Sequence, residues 1–404
     1  MPTKRTRTLI IAALLLYFFA NQTQVGWLYV MAALMLGIVL ASWLLNRSML
    51  TGITGERHLS LEEIYEGDSL EITLNLHNTH QTAGAQIRTA EVCPLADPET
   101  PEHQIEVFLP ILPGHQSTSM TYSVPAYRRG LQSFSALDVT TQAPFGIFRT
   151  RRKIEITTRV LVYPEVRKLN RLALIDRQPA AQQSRPRAGL GSEVIGVRPF
   201  RPGDSPRHVH WRSVARMQHL MSKEFADEAH PGVTLVLDLF QHPYSPSTTK
   251  HTPFEWSIKA AASIAEYAYR RGYPLHVVAD STMLPPPPGP VSWSGLMQYL
   301  GRIEPIGTQP LSEIIPAQSY QTYVVVLIPW PDDWLIEPLL GLKYRGLDIE
   351  AVVVDPASFP TNGPSAESLI DSLVGAGIDG TLIRFGKDWA EQISGTDQRS
   401  KIAV

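Results

Sequence analysis

The residue types that could do chemistry are concentrated between positions 191 and 216. Asp204, Glu193 and His210 are of the kinds that donate and accept protons in general acid–base catalysis. His208 and His210 stand two residues apart, so an extended backbone would present both imidazoles on one side, but two ligands are too few for a metal site. These residues support a hydrolase hypothesis, which would also need a nucleophile or a metal beside them.

The same segment is dense in positive charge and carries two aromatic side chains. Arg212 and Arg216 are spaced i, i+4 on a helical pattern, where like charges repel unless an anion or a carboxylate meets them. The chain has a formal net charge of −2, so no overall field draws it to nucleic acid. We therefore expect a charge network or a protein contact here, with Trp211 and Phe200 as apolar anchors. The arginines of the segment are Arg198, Arg201, Arg207, Arg212 and Arg216.

Three aspartates follow apolar runs that are typical of strands, namely Asp238, Asp280 and Asp355. Ligands of parallel sheets bind beyond the carboxyl ends of the strands, and a carboxylate there can ligate Mg²⁺ or Ca²⁺. Taken singly, each aspartate is better explained as a helix-capping or turn residue. The single cysteine, Cys93, has no His or Asn signature around it, which favours a buried, inert thiol over a nucleophile.

Motifs for cofactors and nucleotides are missing from the sequence. Gly189-Leu-Gly191 with Gly196 beyond it is only a faint dinucleotide-loop pattern, since the third glycine is misplaced and no strong strand precedes it. The sequence has no Gly-x4-Gly-Lys-Ser/Thr loop for phosphates and no Gly-x-Ser-x-Gly nucleophile elbow. We therefore expect no bound cofactor and no ATP hydrolysis by this chain.

The elements that would position these residues alternate between strand and helix in the C-terminal half. Apolar runs of strand length alternate there with amphipathic stretches, which predicts βαβ crossovers and a doubly wound, mainly parallel sheet. The predicted strands cover 233–238, 275–280, 323–328, 348–355 and 381–385, and the predicted helices cover 254–270, 297–303, 334–343 and 366–375.

The region before it has the pattern of an antiparallel β-domain. Residues 69–76 alternate polar and apolar with a period of two, which is typical of a half-buried strand. Turn-forming clusters separate this run from similar runs at regular spacing, and the pattern predicts an immunoglobulin-like sandwich. The predicted strands are 69–76, 85–92, 104–109, 117–124, 131–140 and 153–162.

Two apolar runs at the N-terminus, Leu9 to Ala20 and Val25 to Leu45, predict a membrane hairpin. The second meets the length of about 20 residues that a bilayer requires, and the first would need Thr8 and part of the polar loop. Positive charge flanks the pair only on the outside, which predicts that both ends and the soluble region are cytoplasmic. A single span with an outside domain, or a cleaved signal peptide, are the alternatives. The flanking charges are Lys4, Arg5, Arg7 and Arg47.

The segment from Gly191 to Arg216 resembles the signature of the bacterial domain of unknown function 58 family. The segment has a glycine-rich approach, an arginine, a Pro-Gly-Asp turn, another arginine, a His-Trp step and an Ala-Arg pair. The residues that match are Gly191, Glu193, Gly196, Arg198, Pro202, Gly203, Asp204, Arg207, His210, Trp211, Ala215 and Arg216. Upstream, Tyr127-Arg-Arg-Gly130 and Ala143-Pro-Phe-Gly-Ile-Phe148 also fit, although Ala143 stands where the family more often has Asp.

The resemblance implies a membrane-anchored protein with a von Willebrand factor A-like domain after the signature. It also implies a MoxR-type AAA+ ATPase as partner, and often a transglutaminase-like membrane protein, in assembly, maturation or stress-linked remodelling. The metal site of von Willebrand A domains requires Asp-x-Ser-x-Ser, whereas this chain has Asp238-Leu-Phe-Gln-His242. Asp238 is then the remnant of a degenerate metal site.

Together these observations predict a multi-pass protein of the bacterial inner (cytoplasmic) membrane that acts as a non-enzymatic scaffold. The partners are the lipid bilayer and the ATPase, and the alternative is an envelope-related hydrolase. The predicted interaction residues are Glu193, Arg198, Pro202, Gly203, Asp204, Arg207, His210, Trp211, Arg212 and Arg216. The predicted divisions are 1–50 (hairpin, spans about 8–24 and 25–45), 55–165 (β-sandwich), 185–230 (signature loop and helix), 231–390 (α/β domain) and 391–404 (tail).

Overall fold

The computed structural model describes residues 2–176, 188–201, 208–226, 231–242, 249–280, 282, 284–360 and 363–395. The chain forms two compact units. The first comprises Met1–Glu165, Pro246–His251 and Met297–Ile303, and the second comprises Val166–Ser245, Thr252–Leu296 and Glu304–Val404.

The first unit begins with two helices, α1 (Lys4–Thr23) and α2 (Gly26–Ser48). Small side chains such as Ala13, Ala20 and Ala32 are the buried ones, because they let the two backbones approach closely. Most of the large apolar side chains point outward and are exposed. Within the described part of the chain, α2 is the one helix that is long and apolar enough to cross a membrane. The apolar run of α1 has 12 residues, or about 18 Å, against about 30 Å of hydrocarbon.

The N-terminal end of α1 and the C-terminal end of α2 are held by the loop at 143–148. The Thr3 hydroxyl donates to the carbonyl of Ile147 at 2.6 Å, and the Thr6 hydroxyl bonds the same carbonyl. The buried Asn46 amide donates to the carbonyl of Ala143 at 2.7 Å. Both helices are therefore joined to the β-rich part by bonds from buried polar groups, which an apolar surrounding makes costly to break.

Ten strands follow in the first unit, and most predicted strands are confirmed. Two predicted strands, 131–140 and 153–162, are each divided in two, and the first two strands were not predicted. The strands are β1 (Ile53–Leu59), β2 (Glu63–Tyr65), β3 (Ser69–Asn78), β4 (Gly84–Val92), β5 (Gln104–Leu112), β6 (Ser117–Pro125), β7 (Gly130–Phe134), β8 (Leu137–Thr141), β9 (Thr150–Ile154) and β10 (Thr158–Tyr163).

These strands form three sheets, of order β1-β3-β6, β2-β10-β7 and β5-β4-β8-β9. Strand β3 explains the packing, since its side chains alternate between buried and outward positions as the sequence predicts. Leu70 and Ile72 pack in one core with residues of β7 and β10. Leu74 and Leu76 pack in a second core with residues of β4 and β8. The sheet that contains β3 thus covers both of the other sheets.

The first unit also buries one ion pair, between Arg57 and Glu91. Burial raises the pKa of Glu91, and the Arg57 guanidinium offsets that effect only in part. Arg57 lies over the Phe134 ring at 4.8 Å and donates to the carbonyl of Ile156 at 3.0 Å. Cys93, fully buried nearby, has its pKa raised first by burial. The thiol therefore stays protonated, which agrees with the expectation of an inert cysteine.

The second unit contains a five-stranded parallel sheet and its helices, as the alternating pattern predicts. Its helices are α3 (Ala173–Asp176), α4 (Trp211–Met217), α5 (Pro253–Arg270), α6 (Trp293–Arg302, of which Met297 onward belongs to the first unit), α7 (Leu311–Ala317), α8 (Ile336–Tyr344), α9 (Glu367–Gly375) and α10 (Trp389–Ser394). Its strands are β11 (Ala188–Pro199), β12 (Met221–Ala226), β13 (Val233–Leu237), β14 (Leu275–Val278), β15 (Tyr323–Ile328), β16 (Asp348–Val354) and β17 (Asp379–Ile383).

The parallel sheet has the order β14-β13-β15-β16-β17. Strand β14 lies on one side of β13, and the chain then crosses over so that β15 and the later strands lie on the other side. All residues of β13 and β15 are buried, which is why these strands appear in the sequence as continuous apolar runs. Helix α5 starts at the cap of Thr252, whose hydroxyl accepts from the Glu255 N–H at 3.1 Å, and it is buried along most of its length.

A separate two-stranded antiparallel sheet of β11 and β12, with α4 in the connection between the strands, precedes the parallel sheet. The sequence pattern predicts a signature loop and helix over 185–230, and the loop prediction is wrong for Ala188–Pro199, which forms a strand paired with β12, with register shifts between Gly189 and Gly196. Val194, Ile195 and Val197 are β-branched, and this favours a strand despite the glycines around them. The helix predicted after the loop is confirmed as α4.

Candidate functional site

Helix α4 is short and is fixed at both ends by local bonds. His210 caps its N-terminus, with Nδ1 accepting from the Ser213 N–H at 3.3 Å and lying 2.8 Å from the Ser213 hydroxyl. The His210 N–H donates to the carbonyl of Met221 at 2.9 Å, which ties the cap to β12. Gln218 ends the helix in the left-handed conformation. The helix therefore has a defined place on the two-stranded sheet even though it spans only seven residues.

No residue of α4 is buried, and the large side chains on and after it face solvent. Trp211 is 70% exposed, and Met217 and Leu220 are also more than half exposed. Arg212 and Arg216 are exposed on the same helix. An exposed tryptophan beside arginines has the composition of interface hot spots, which are enriched in these two residue types. We call this set, Trp211, Arg212, Arg216, Met217 and Leu220, the α4 surface.

The other predicted interaction residues are distributed as follows. Arg198 lies at the end of β11, where Nη1 donates to the carbonyl of Pro199 at 3.2 Å. Glu193 lies within β11. The remaining four, Pro202, Gly203, Asp204 and Arg207, fall outside the described residues.

The hydrolase hypothesis required Asp204, Glu193 and His210 to act together. The described part of the chain does not bring these three together, since Asp204 lies outside it and the His210 ring is engaged by Ser213 as a helix cap. The structure adds no observation in favour of proton transfer by these groups.

The carboxyl edge of the parallel sheet carries the aspartates that a metal site would use. Asp238 follows β13 and is buried, with Oδ1 accepting from the Phe240 N–H at 3.0 Å and Oδ2 lying 2.7 Å from His242 Nε2. The His242 ring stacks on Trp330 with centroids 5.9 Å apart. An imidazole therefore contacts one oxygen of the Asp238 carboxylate.

Asp280, after β14, is engaged by backbone groups on both oxygens. Its Oδ2 accepts from Thr308 N at 2.6 Å and from Gln309 N at 3.0 Å, and its Oδ1 accepts from Thr282 N at 2.9 Å. Burial alone would raise the pKa of Asp280, but these donors outweigh it and hold the pKa below its ordinary value. A side chain at Gly307 would collide with this carboxylate and with the Leu239 carbonyl, which explains the glycine.

Asp355, after β16, completes the edge. Its Oδ1 accepts from the Ala366 N–H at 3.1 Å, and its Oδ2 lies 3.5 Å from Arg384 Nε. All three aspartates therefore act as acceptors for backbone or side-chain donors of the protein. Across the described ranges, no group of three or more His, Cys, Asp or Glu side chains is arranged to hold a metal ion.

Arg129 has a structural role that the sequence did not predict. Arg129 is buried, and its Nη1 donates to the carbonyls of Leu300 and Ile303, the latter at 3.0 Å, at the end of α6. The signal for it was the Tyr127-Arg-Arg-Gly130 motif, noted only as part of the resemblance. Its role is to cap carbonyls at a helix C-terminus, where a cation is favourable.

The fold and the site define a mixed α and β protein with one N-terminal apolar helix suited to a membrane, a β-rich unit and a parallel α/β unit. Comparison with known proteins is more specific. Residues 196–328, which include α4 and the first strands of the parallel sheet, match the family described as "Protein of unknown function DUF58". This match supports the resemblance that the signature residues indicate.

A curated relative also matches part of the chain. The chain is 23% identical over 268 residues to the "Uncharacterized protein YeaD" of Bacillus subtilis (strain 168). The match covers 66% of this chain and 65% of the relative, so somewhat less than two thirds of that protein is represented.

Solved structures resemble only part of the chain. A CARDB domain from Pyrococcus furiosus matches over 28% of this chain and 94% of its own length, with 11% identity and a TM-score of 0.21. A β-glucosidase 3B from Thermotoga neapolitana matches over 27% of this chain and 16% of its own, with 13% identity and a TM-score of 0.14. Scores this low carry no argument about fold or function.

Proposed function

We propose that this chain is a membrane-anchored, non-enzymatic scaffold that works with a MoxR-type AAA+ ATPase in the assembly, maturation or remodelling of other proteins. The observation that carries the proposal is the α4 surface. Its Trp211 is 70% exposed on a helix without buried residues, inside the region that matches the family. A contact with another protein would bury such a side chain, whereas packing within the described chain does not.

The chemistry of the α4 surface suits a protein partner with an acidic, partly apolar face. Arg212 and Arg216 repel each other across one helical turn until carboxylates meet them, and an arginine can bind a carboxylate with two parallel hydrogen bonds. Trp211 and Met217 provide apolar area between these charges. Affinity then arises mainly from the tryptophan and the arginines, as is usual for a small central cluster in an interface.

Membrane attachment supports the scaffold role. We infer that α1 and α2 both enter the inner (cytoplasmic) membrane and that the soluble region is cytoplasmic. The outward-facing large side chains of α1 and α2, with small buried ones between the helices, fit a pair that packs in lipid. Trp43 lies near the basic end of α2, with Arg47 5.9 Å from its ring, as is common at a membrane interface.

The two soluble parts have complementary roles in this proposal. The β-rich unit, an immunoglobulin-like sandwich in this view, is a spacer or a docking face. The α/β unit is a von Willebrand factor A-like module without its metal, since Asp238 is held by His242 where a cation would otherwise be bound. A transglutaminase-like membrane protein is a further member of the complex in this proposal.

The proposal is tested by purifying the affinity-tagged full-length chain in mild detergent from its own cells, with mass spectrometry of the proteins that accompany it. We expect a MoxR-type ATPase with the wild-type chain and its loss with Trp211→Ala and with Arg212→Glu. A hot-spot substitution of this kind costs about 2 kcal/mol or more of binding free energy, or about 30-fold in affinity.

Tyr344→Ala is the control, because Tyr344 is an exposed aromatic residue at 85% that lies outside the α4 surface. It should leave the ATPase in place. All variants should stay in the membrane fraction after a carbonate wash. The proposal fails if the ATPase accompanies the Trp211→Ala and wild-type chains equally, or if no ATPase accompanies the wild type.

A further inference from the structure

A second surface of the α/β unit, distant from the α4 surface in sequence, has the features of a peptide-binding groove. An open groove of about 640 Å³ lies between α7 and the start of α8. Three prolines and a tryptophan form its apolar part, and three carboxylates form its charged part. The lining residues are Pro310, Ser312, Glu313, Pro316, Asp332, Trp334, Glu337 and Pro338.

Trp334 is the most unusual of these residues. It is 81% exposed, whereas its neighbour Leu335 is buried in the core of the unit. The Trp334 N–H donates to Asp332 Oδ1 at 3.0 Å at the start of a short 3₁₀ turn, Asp333–Leu335. This turn and the buried leucine fix the backbone, so the indole is held toward solvent at the groove. Because the indole ring is still in contact with water, its burial by a ligand would contribute favourable hydrophobic free energy.

The charges around the ring select the ligand. Of the eight lining residues, Glu313, Asp332 and Glu337 are acidic, and none is basic. Glu313 and Glu337 are exposed, one on α7 and the other on α8, so they lie on the two helices that form the groove. A cation between them gains from both carboxylates, and a planar guanidinium can also stack on an indole.

We propose that this groove binds an arginine-bearing, extended peptide segment of a partner protein, with the guanidinium over Trp334 and paired with Glu313 or Glu337. The prolines make rigid walls that lose little conformational entropy when the peptide binds. Exposed ion pairs and cation–π contacts are each weak, so the groove suits a transient interaction that adds to another, stronger contact. This role is independent of the α4 surface.

The test uses the full-length chain in lipid nanodiscs and two fluorescein-labelled peptides, measured by anisotropy. One peptide is a short glycine-serine sequence with two arginines separated by proline, and the other has both arginines replaced by glutamine. We expect the arginine peptide to bind at least about tenfold more tightly than the glutamine peptide. Raising the ionic strength from about 0.05 to about 0.5 M should weaken it, because screening acts on exposed charges.

Variants assign the binding to the groove. Trp334→Ala, and the double variant Glu313→Gln with Glu337→Gln, should each weaken the arginine peptide by about tenfold. Tyr344→Ala, an equally exposed aromatic that does not line the groove, should have no effect. Trp211→Ala should also leave peptide affinity unchanged.

The proposal is overturned if both peptides bind equally, if Trp334→Ala binds the arginine peptide as the wild type does, or if the wild type binds neither. Sedimentation of the wild type and of Trp334→Ala measures the oligomeric state of each chain, and it tests whether a second copy of the chain occupies the groove. A change in oligomeric state that the peptide does not compete with would show that the groove is a self-association surface and would likewise overturn the proposal.

Discussion

The carboxyl edge of the parallel sheet and the α4 surface differ in how their polar groups are used. At the edge, Asp238, Asp280 and Asp355 are buried and each accepts hydrogen bonds from the protein. On α4, Trp211 and the arginines are exposed, and the helix has no buried residue. The polar groups of the sheet edge are satisfied by hydrogen bonds within the protein, whereas the side chains of the α4 surface remain accessible to a partner.

This difference separates stability from binding. Removing a buried, multiply bonded carboxylate leaves donors without acceptors, which destabilises the fold. Removing an exposed side chain changes stability by no more than about 0.5 kcal/mol, but it can remove an interface anchor. Substitutions at the edge should therefore lower the stability of the chain, and substitutions on α4 should lower partner affinity alone.

The largest effect is expected for Asp280→Ala. Three backbone N–H groups lose their acceptor, and we expect a loss of about 2–4 kcal/mol in the free energy of unfolding. Urea unfolding of the full-length chain in detergent, followed by tryptophan fluorescence, measures this. Asp332→Ala is the control, because that carboxylate caps one N–H in a more exposed place. Equal losses for the two variants would contradict the account.

The next effect is expected for His242→Ala. The Asp238 carboxylate would keep its hydrogen bond from the Phe240 N–H but lose its contact with the His242 imidazole. The Trp330 ring would lose its stacking partner. We expect a loss of about 1–3 kcal/mol, with partial recovery in His242→Gln, whose amide can donate to the same carboxylate. An unchanged urea midpoint for His242→Ala would mean that the imidazole does not close this edge.

Acid should destabilise the α/β unit through Asp280. The folded-state pKa of this carboxyl lies below its ordinary value of 3.8, so the unfolded chain binds the proton first. The stabilising contribution is therefore fully present above the ordinary pKa and is lost as the pH falls through the lower, folded-state pKa. Urea midpoints across this acid range should decrease more steeply for the wild type than for Asp280→Asn. Parallel curves would contradict the assignment.

The smallest effect concerns the metal. We expect Mg²⁺ to leave the melting temperature of the wild type unchanged. The double variant Phe240→Ser with His242→Ser creates an Asp-x-Ser-x-Ser order and should gain a Mg²⁺-dependent increase of a few degrees, since a ligand that binds only the folded state stabilises it. A Mg²⁺-dependent increase in the wild type would show that His242 does not exclude the cation.

Much of the fold follows from periodicity. The strands of the parallel sheet are continuous apolar runs because both faces are buried, and Tyr323–Ile328 was predicted to the residue. The strand β3 was predicted from its alternation. The prediction of a signature loop was wrong for Ala188–Pro199, because glycines and turn residues concealed a strand that forms with its partner β12, Met221–Ala226.

The site was less accessible to sequence reasoning. The Asp238–His242 pair lies at i, i+4, yet only the fold shows that the ring enters the edge between Phe240 and Trp330. The exposure of Trp211 and Trp334 could not be predicted, because a tryptophan in an amphipathic pattern is usually packed inside. Asp204, central to the signature, lies outside the described residues, and its role stays a prediction.

The most direct measurement is a titration of the purified MoxR-type ATPase from the same genome against the full-length chain in lipid nanodiscs, with the melting temperature of each variant recorded in parallel. The account predicts that the wild type binds, that Trp211→Ala binds at least about 30-fold more weakly, and that the two melt at the same temperature. Equal affinities for the two chains, or a loss of binding that accompanies a loss of folding, would contradict it.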